Sequence, residues 1–448
     1  KQNNNDLWRK AIAKEMKNVS IAFDIKERGE KAPPGFFKST VHMIFDVKMD
    51  FTRKARLVHD GHKVPATETP AYAGVVSRES VRIAFTYAAL NELEVCAADI
   101  LNAYLQAPAS EKYYIICGPE FGSNNIGKVA LISRALYGGP VSGANFRNHL
   151  RDCMSMLGYE SCLADPDVWF RKAVRDDGTP YYEYVLLYVD DMLAISEHAE
   201  EVIQEIGKFF KMKPTSVGPP DIYLGGKVSK VVLPNGVEAH AYSASRYVQN
   251  AIKNVEAYLE KKGMKLKANA KAPLHTKYRP EVDVSPELNS EDSSYYQSLI
   301  GILRWAVELG RIDICADVSM MASCLALPRE GHLQQVFHIF SYLKNKHNSR
   351  IVFDPTYPEI DYSKFVKRDW SGYYGEVKEE IPENAPEPMG KPFLIRAYVD
   401  ADHAGEKITR RSRTGYVIML NRAPIYWLSK KQTSIETSSF GSEFIAMK

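Results

Sequence analysis

Cysteine is scarce in this chain. Six occur in 448 residues, at 96, 117, 153, 162, 315 and 324, and none forms a Cys-x-x-Cys pair. That spacing excludes a disulfide scaffold and gives no zinc signature, so the thiols read as reduced core residues of a cell interior. Long apolar runs are absent too. Nothing approaches the ~18 residues of a membrane span. The N-terminal Lys-Gln-Asn-Asn-Asn has no hydrophobic signal core and no initiator Met, which predicts a chain cut from something longer. There is no internal repeat. Charge of one sign is also lacking overall, with a net +3, but it gathers locally. Residues 1–64 carry 14 Lys/Arg against 8 Asp/Glu, and residues 393–448 have a local excess of four positive charges. Basic segments of this kind can contact phosphates.

What is present is an ordinary globular composition, 45% apolar and 25% charged, in a chain long enough for ~2–4 domains. Residues 376–392 hold four prolines and five glutamates, which cannot pack a core and read as an extended linker. Residues 261–294 are polar and turn-rich, and read as a long connection. Helical spacing is expected over 6–18, 79–92, 143–157 and 198–212, and over most of 294–347. Residues 183–195 read as a hairpin. Helices on one side of a small antiparallel sheet make the class α+β.

The most informative feature is Asp190-Asp191, inside Tyr-Val-Leu-Leu-Tyr-Val-Asp-Asp-Met-Leu-Ala-Ile at 184–195. Burying two carboxylates in a β-prone run costs several kcal/mol, by order of magnitude, unless a partner compensates. The run holds no Lys or Arg, and a divalent metal would serve. The alternative is a solvated turn between two strands. A further acid, Asp99, closes the strand-like stretch Leu-Glu-Val-Cys-Ala-Ala-Asp. Alone it would read as a helix N-cap.

Together these acids resemble motifs of a reverse transcriptase: Tyr188-Val189-Asp190-Asp191, and Asp99 followed five residues on by Tyr104. The flanking text is similar to copia-type LTR retrotransposon polymerases. Trp8, Ala11 and Glu15 resemble the family's opening element, and Lys54-Ala55-Arg56-Leu57-Val58 its Lys-Ala-Arg-Leu-Val box. Ala135-Leu136-Tyr137-Gly138 and Asp221-Ile222-Tyr223-Leu224-Gly225 follow in family order, then Leu299-Ile300-Gly301 and Arg311-Ile312-Asp313-Ile314. Asp400-Ala401-Asp402-His403-Ala404-Gly405, Arg411-Ser412, Gly415-Tyr416 and Ser438-Ser439 with Glu443 resemble the start of an RNase H domain.

The resemblance implies a right-hand polymerase with fingers and palm over 1–235, thumb and connection over 236–375, the linker over 376–392, and a truncated RNase H-like fold over 393–448. It implies RNA-directed DNA polymerisation by two Mg²⁺ ions, with Mn²⁺ as substitute, held by Asp99, Asp190, Asp191 and the carbonyl of Ile100. Lys54 and Arg56 would grip the triphosphate, and Tyr104 would gate the sugar. Asp400 and Glu443 would be metal ligands of the RNase H remnant, with Asp402 a substitute for Asp400. No RNase H activity is expected from a domain that stops at Lys448. Partners implied are an RNA template, a DNA primer and its cDNA, dNTPs, and protease and integrase as polyprotein neighbours, with no membrane. The expected location is the cytoplasm, inside retrotransposon particles.

Besides Ile312, which stands where the family's Arg-Pro-Asp-Ile element has proline, the chain departs from the family pattern at two places. After Leu136-Tyr137-Gly138 the family continues Leu-Lys-Gln-Ser, whereas here residues 139–142 are Gly-Pro-Val-Ser, which puts Pro140 and Val141 at the Lys and Gln positions. His59-Asp60 stands where a small or basic residue is commoner. A decayed fragment that folds and grips nucleic acid without polymerising is therefore the alternative reading. A metal nuclease using the same acids would cleave without extending.

Overall fold

The structure, a computed structural model, describes residues 5–47, 51–65, 71, 73–366, 368–376, 378 and 380–448. Residues 1–4 of the N-terminal segment, 48–50 of the basic first segment, and Val377 and Glu379 of the expected linker lie outside the described residues. The architecture mixes helices and sheets. The expected helices form at Asp6–Val19, Arg78–Leu90 and Ser142–Met156, and as Ser290–Glu308, Cys315–Ala322 and Glu330–Asn345. No helix among the described residues is long and apolar enough to cross a membrane.

The central layer is a five-stranded antiparallel sheet in the order Glu94–Asp99, Asp191–Ser196, Pro180–Tyr188, Val168–Val174, Glu160–Ser161. Met192 to Ile195 are buried without a break, because both faces of the sheet are covered. Leu193 and Ile195 face the core that includes the Arg78–Leu90 helix. Met192 and Ala194 face the Ser142–Met156 and Ala199–Ile206 helices. A strand covered on two sides tolerates no polar face, which accounts for the apolar text after Asp191.

The N-terminal unit has a core of its own. The Asp6–Val19 helix packs on a hairpin of Val41–Val47 and Arg53–His59, and the Glu15 carboxylate accepts the Leu57 N–H at 3.0 Å. Ala55, Leu57 and His59 are buried and alternate with half-buried Lys54, Arg56 and Val58, the period-two pattern of a strand with one face on a core. A four-stranded sheet with Phe23–Ile25, Val129–Ile132, Tyr113–Ile116 and Phe37–Lys38 completes this unit.

On the core that takes Leu193 and Ile195, strands Gly226–Val232, Glu238–Ser243 and Ile351–Phe353 pack with the Ser245–Lys261, Ser290–Glu308 and Glu330–Asn345 helices. The C-terminal sheet, Ile395–Ala401, Arg413–Leu420 and Ala423–Lys431, joins the same core through Ala423 and Trp427. Trp427 donates its indole N–H to the Val307 carbonyl at 3.2 Å. The Arg82 guanidinium lies 3.9 Å from the Trp427 ring and donates to the Ile425 and Glu308 carbonyls.

One expected helix is shorter than its pattern. Over 198–212 only Ala199–Ile206 is helical. Phe210 turns into the core, and the chain from Lys211 runs extended beside Glu94–Asp99. Leu101 N–H donates to Lys211 O at 2.9 Å, Lys213 N–H to Asp99 O at 2.8 Å, and Ala97 N–H to Gly218 O at 2.8 Å. The hydrogen-bonding edge of that strand outcompeted local propensity.

His240, buried against Phe85 with its Nδ1 unpartnered, titrates low because burial disfavours its charged form, down to about 4. Below the ordinary histidine range near 6.5 the unfolded chain takes up a proton that the folded chain refuses. Stability is therefore expected to fall as pH drops from 6.5 toward 4, by up to roughly 3 kcal/mol. Urea denaturation across that interval should show a shallower pH dependence for His240→Gln.

Candidate active site

The Asp190-Asp191 hairpin turns in two residues. Tyr188 pairs with Asp191, leaving Val189 and Asp190 as the loop. Val189 has φ +56°, the left-handed conformation that a two-residue hairpin requires and a β-branched residue resists. The loop is held from across the sheet, where Ile100 N–H donates to the Asp190 carbonyl at 2.8 Å. The register also places Asp191 directly opposite Asp99. Three acids from two distant stretches therefore meet at one end of one strand pair.

Their electrostatics show crowding. Loss of hydration, followed by a hydrogen bond to Asp99 and the charges of Asp190 and Asp99, pushes the Asp191 carboxyl up to about 7. Asp190 is raised as well, by loss of hydration and then by Asp99, while Lys54 and Arg56 pull it the other way. The two cations of the Arg53–His59 strand thus act on the acid turn. The oxygens of Asp99, Asp190 and Asp191 do not all close to within 4.8 Å of one another. Among the described residues the one trio that does is Asp176, Glu197 and His198, a surface group.

The sequence did not reveal a cation that pairs with one of these acids. Lys213 Nζ sits 2.6 Å from Asp99 Oδ2, and Ser216 Oγ accepts the Asp99 N–H at 3.0 Å. The shortened 199–206 helix delivers this lysine. A helix continuing through 212 hides the extended pairing that aims it. The signal that was available is the Gly207 break before a Lys-Met-Lys run.

Beside the acids stands a stack of rings and charge. The Arg56 guanidinium lies 4.8 Å from the Tyr137 ring, Tyr137 is 4.9 Å from Tyr104, and Tyr104 is 6.0 Å from Phe146. Tyr104 rides the short Ala103–Gln106 helix just beyond Asp99. It shares a small recess with Gly143 and Val189. A side chain at Gly143 would begin 3.9 Å from the Tyr104 hydroxyl. Lys54 lies on the same face of its strand as Arg56.

The two departures from the family pattern turn out to be neighbours. His59 N–H donates to the Tyr137 carbonyl at 2.7 Å. A Cβ on Gly138, φ +81°, would collide with the His59 carbonyl and Val58, and one on Gly61 would collide with the Gly138 carbonyl and Pro140. The buried His59 ring bonds Ser39 Oγ at 2.6 Å and tilts over Tyr113. Asp60 is buried and held well below the usual carboxylate range by Lys63, Thr40 and His42, against its loss of hydration. Val141 is buried at the start of the Ser142–Met156 helix, so it serves packing.

Asp400 and Glu443 sit on the Ile395–Ala401 strand and the Ser439–Met447 helix, which pack together. Ser438 caps that helix by accepting the Gly441 N–H at 3.1 Å. Asp402 instead accepts the Arg413 N–H.

Comparison with known proteins gives the chain relatives. Residues 37–258 match the family described as reverse transcriptase (RNA-dependent DNA polymerase). They form a reverse transcriptase family domain. The whole chain is similar to copia-type retrotransposon Pol polyproteins over most of its length. It is 25% identical over 405 residues to the retrovirus-related Pol polyprotein from transposon TNT 1-94 of Nicotiana tabacum, covering 88% of this chain and 26% of that protein. It is 24% identical over 399 residues to the corresponding polyprotein from transposon RE1 of Arabidopsis thaliana, covering 87% and 23%. A putative transposon Ty5-1 protein of Saccharomyces cerevisiae is 25% identical over 337 residues, covering 74% of this chain and 92% of that one. The chain thus spans about a quarter of the length of the two plant polyproteins.

In this reverse transcriptase domain Gly138→Ala is expected to destabilise the fold by about 2 kcal/mol or more, because it adds a clash to an unfavourable φ. Chemical denaturation checks this, with Gly236→Ala, whose Cβ meets open space, as the control for conformation alone.

Proposed function

We propose that this chain is an RNA-directed DNA polymerase of a copia-type retrotransposon, which extends a primer 3′-hydroxyl with dNTPs. The observation that carries this reading is the register of Asp191 opposite Asp99, with Asp190 in the adjoining turn. Reverse transcriptases use divalent metal ions, and the residues here fit them. The donors are hard carboxylate oxygens, and two of the three are protonated more readily than usual because burial strips their hydration and anionic neighbours crowd them. Asp99, Asp190 and Asp191, with the Ile100 carbonyl, would hold the ions. Bound there, Mg²⁺ would lower the pKa of the primer hydroxyl and stabilise charge on the transferring phosphoryl group.

The chain's own side chains do the positioning. Arg56, backed by the Tyr137 ring, and Lys54 present positive charge to the triphosphate. Tyr104 lies beneath the sugar, where its ring would collide with a 2′-hydroxyl, the one group that distinguishes ribonucleotides. In this reading the N-terminal unit supplies fingers, the five-stranded sheet the palm, and the helical unit packed on it the thumb and connection. The C-terminal sheet and the helix packed on it are RNase H-like in this reading and carry Asp400 and Glu443.

Primer extension on poly(rA)/oligo(dT) with Mg²⁺ tests the proposal. Wild type is expected to incorporate dTTP, and Asp190→Asn to lose at least about 10³-fold, since metal-assisted charge stabilisation is worth several kcal/mol. Salt-sensitive hybrid binding with no incorporation by wild type would instead mark a fragment that has lost its chemistry. Tyr104→Ala is expected to raise ribonucleotide incorporation relative to deoxynucleotide by 10-fold or more, measured as the ratio of kcat/KM values for UTP and dTTP.

A further inference from the structure

Residues 261–279 contain Lys261, Lys262, Lys265, Lys267, Lys271, Lys277 and Arg279, and no aspartate or glutamate. This run alone carries +7 in a chain whose net charge is +3. It leaves the C-terminal end of the Ser245–Lys261 helix and crosses the Glu330–Asn345 helix without a helix or strand of its own. Its small apolar residues pin it in place. Ala270 and Leu274 are buried and Leu266 is half-buried against the core. Lys267 N–H donates to Ser341 Oγ at 3.1 Å, Asn345 Nδ2 donates to the Ala268 carbonyl at 2.8 Å, and the His275 ring stacks on His338 at 4.1 Å.

With Ala270 and Leu274 turned inward, all seven cations are exposed. Only Lys262 makes an ion pair among the described residues, to Asp292 at 2.7 Å. A solvated surface ordinarily interleaves both signs. Here one sign is presented along a strap whose backbone is fixed by hydrogen bonds on its inner side, and exposed Lys346 continues it from the adjoining helix end.

We propose that this strap is a docking surface for the phosphate backbone of a nucleic-acid duplex, outside the acid site. The chemistry favours a polyphosphate strand over a lipid surface. A membrane-binding segment presents aromatic or aliphatic anchors outward, whereas apart from Met264 the strap's larger apolar residues face the core or are half-buried. The choice of an RNA·DNA hybrid as the duplex rests on the polymerase reading above.

The test is a salt titration of binding to a labelled RNA·DNA hybrid, by fluorescence anisotropy, without nucleotide. Each phosphate contact contributes about 0.9 to the slope of log K against log salt. The quadruple variant Lys265→Gln, Lys267→Gln, Lys271→Gln, Lys277→Gln is expected to lower that slope by roughly 2 to 4, independently of sequence. The matching Lys→Arg variant is expected to retain the wild-type slope. An unchanged slope in the Gln variant overturns the proposal. So does loss of binding confined to phosphatidylserine vesicles, which would make the partner a membrane. Parallel primer extension separates the two readings. A reduced slope in a protein that does not extend keeps the surface and removes the polymerase. Extension with an unchanged slope does the reverse.

Discussion

Three carboxylates gathered at one end of a strand pair repel one another, and the rest of the site is arranged around that repulsion. Like charges at close range cannot all ionise freely unless cations face them. Loss of hydration, together with the hydrogen bond to Asp99 and these like charges, pushes Asp191 to about 7. Lys213 neutralises Asp99 from one side, and Lys54 and Arg56 act on Asp190 from the other. What fixes the acids against their repulsion is the sheet beneath them. Asp191–Ser196 is paired on both edges and covered on both faces. A slip of one residue would turn every buried side chain to the opposite face, so the register that opposes Asp191 to Asp99 is enforced by the whole hydrophobic layer.

Strain concentrates where the chain departs from regular patterns. Val189 in a left-handed conformation persists because its turn is tied to Ile100, in keeping with the rule that costly backbone survives only where surroundings over-determine it. His59-Asp60 and the Gly138-Gly139-Pro140 turn look like separate anomalies in the sequence. In space they form one close-packed corner, in which glycines allow backbone to meet backbone. The corner backs Tyr137, which in turn backs Arg56 and Tyr104. Pro140 against Gly61 and the buried Val141 are part of the packing at this corner.

The C-terminal sheet is tied to the body of the molecule despite the proline-rich stretch before it. Arg82, Trp427 and the 305–309 segment interlock there. Burying a guanidinium this deeply is tolerable because carbonyls and an aromatic face satisfy it. Part of the expected linker is itself fastened down. Tyr182 donates to the Glu387 carbonyl, and Lys391 N–H donates to Asn91 Oδ1. A composition unable to form its own core has here been anchored by hydrogen bonds to the central sheet.

Local text carried much of this protein. Helical spacing located the 6–19, 78–90 and 142–156 helices to within two residues. Alternating and continuous apolar runs located the acid hairpin, and the ordered motifs located the family. These are properties of neighbours along the chain, which periodicity reports directly. Lys213 reaching Asp99, His59 meeting Gly138, and Arg82 under Trp427 were not legible, since each joins residues about eighty or more apart and depends on strand register and on how helices pack. The helix that stops at 206 shows the limit most clearly. Its local pattern continued, but the open edge of the Asp99 strand offered backbone hydrogen bonds that a helix could not. The three acids were thus written in the sequence, while their counter-charges and supports were decided by the fold, because electrostatic and packing energies depend on distance through space.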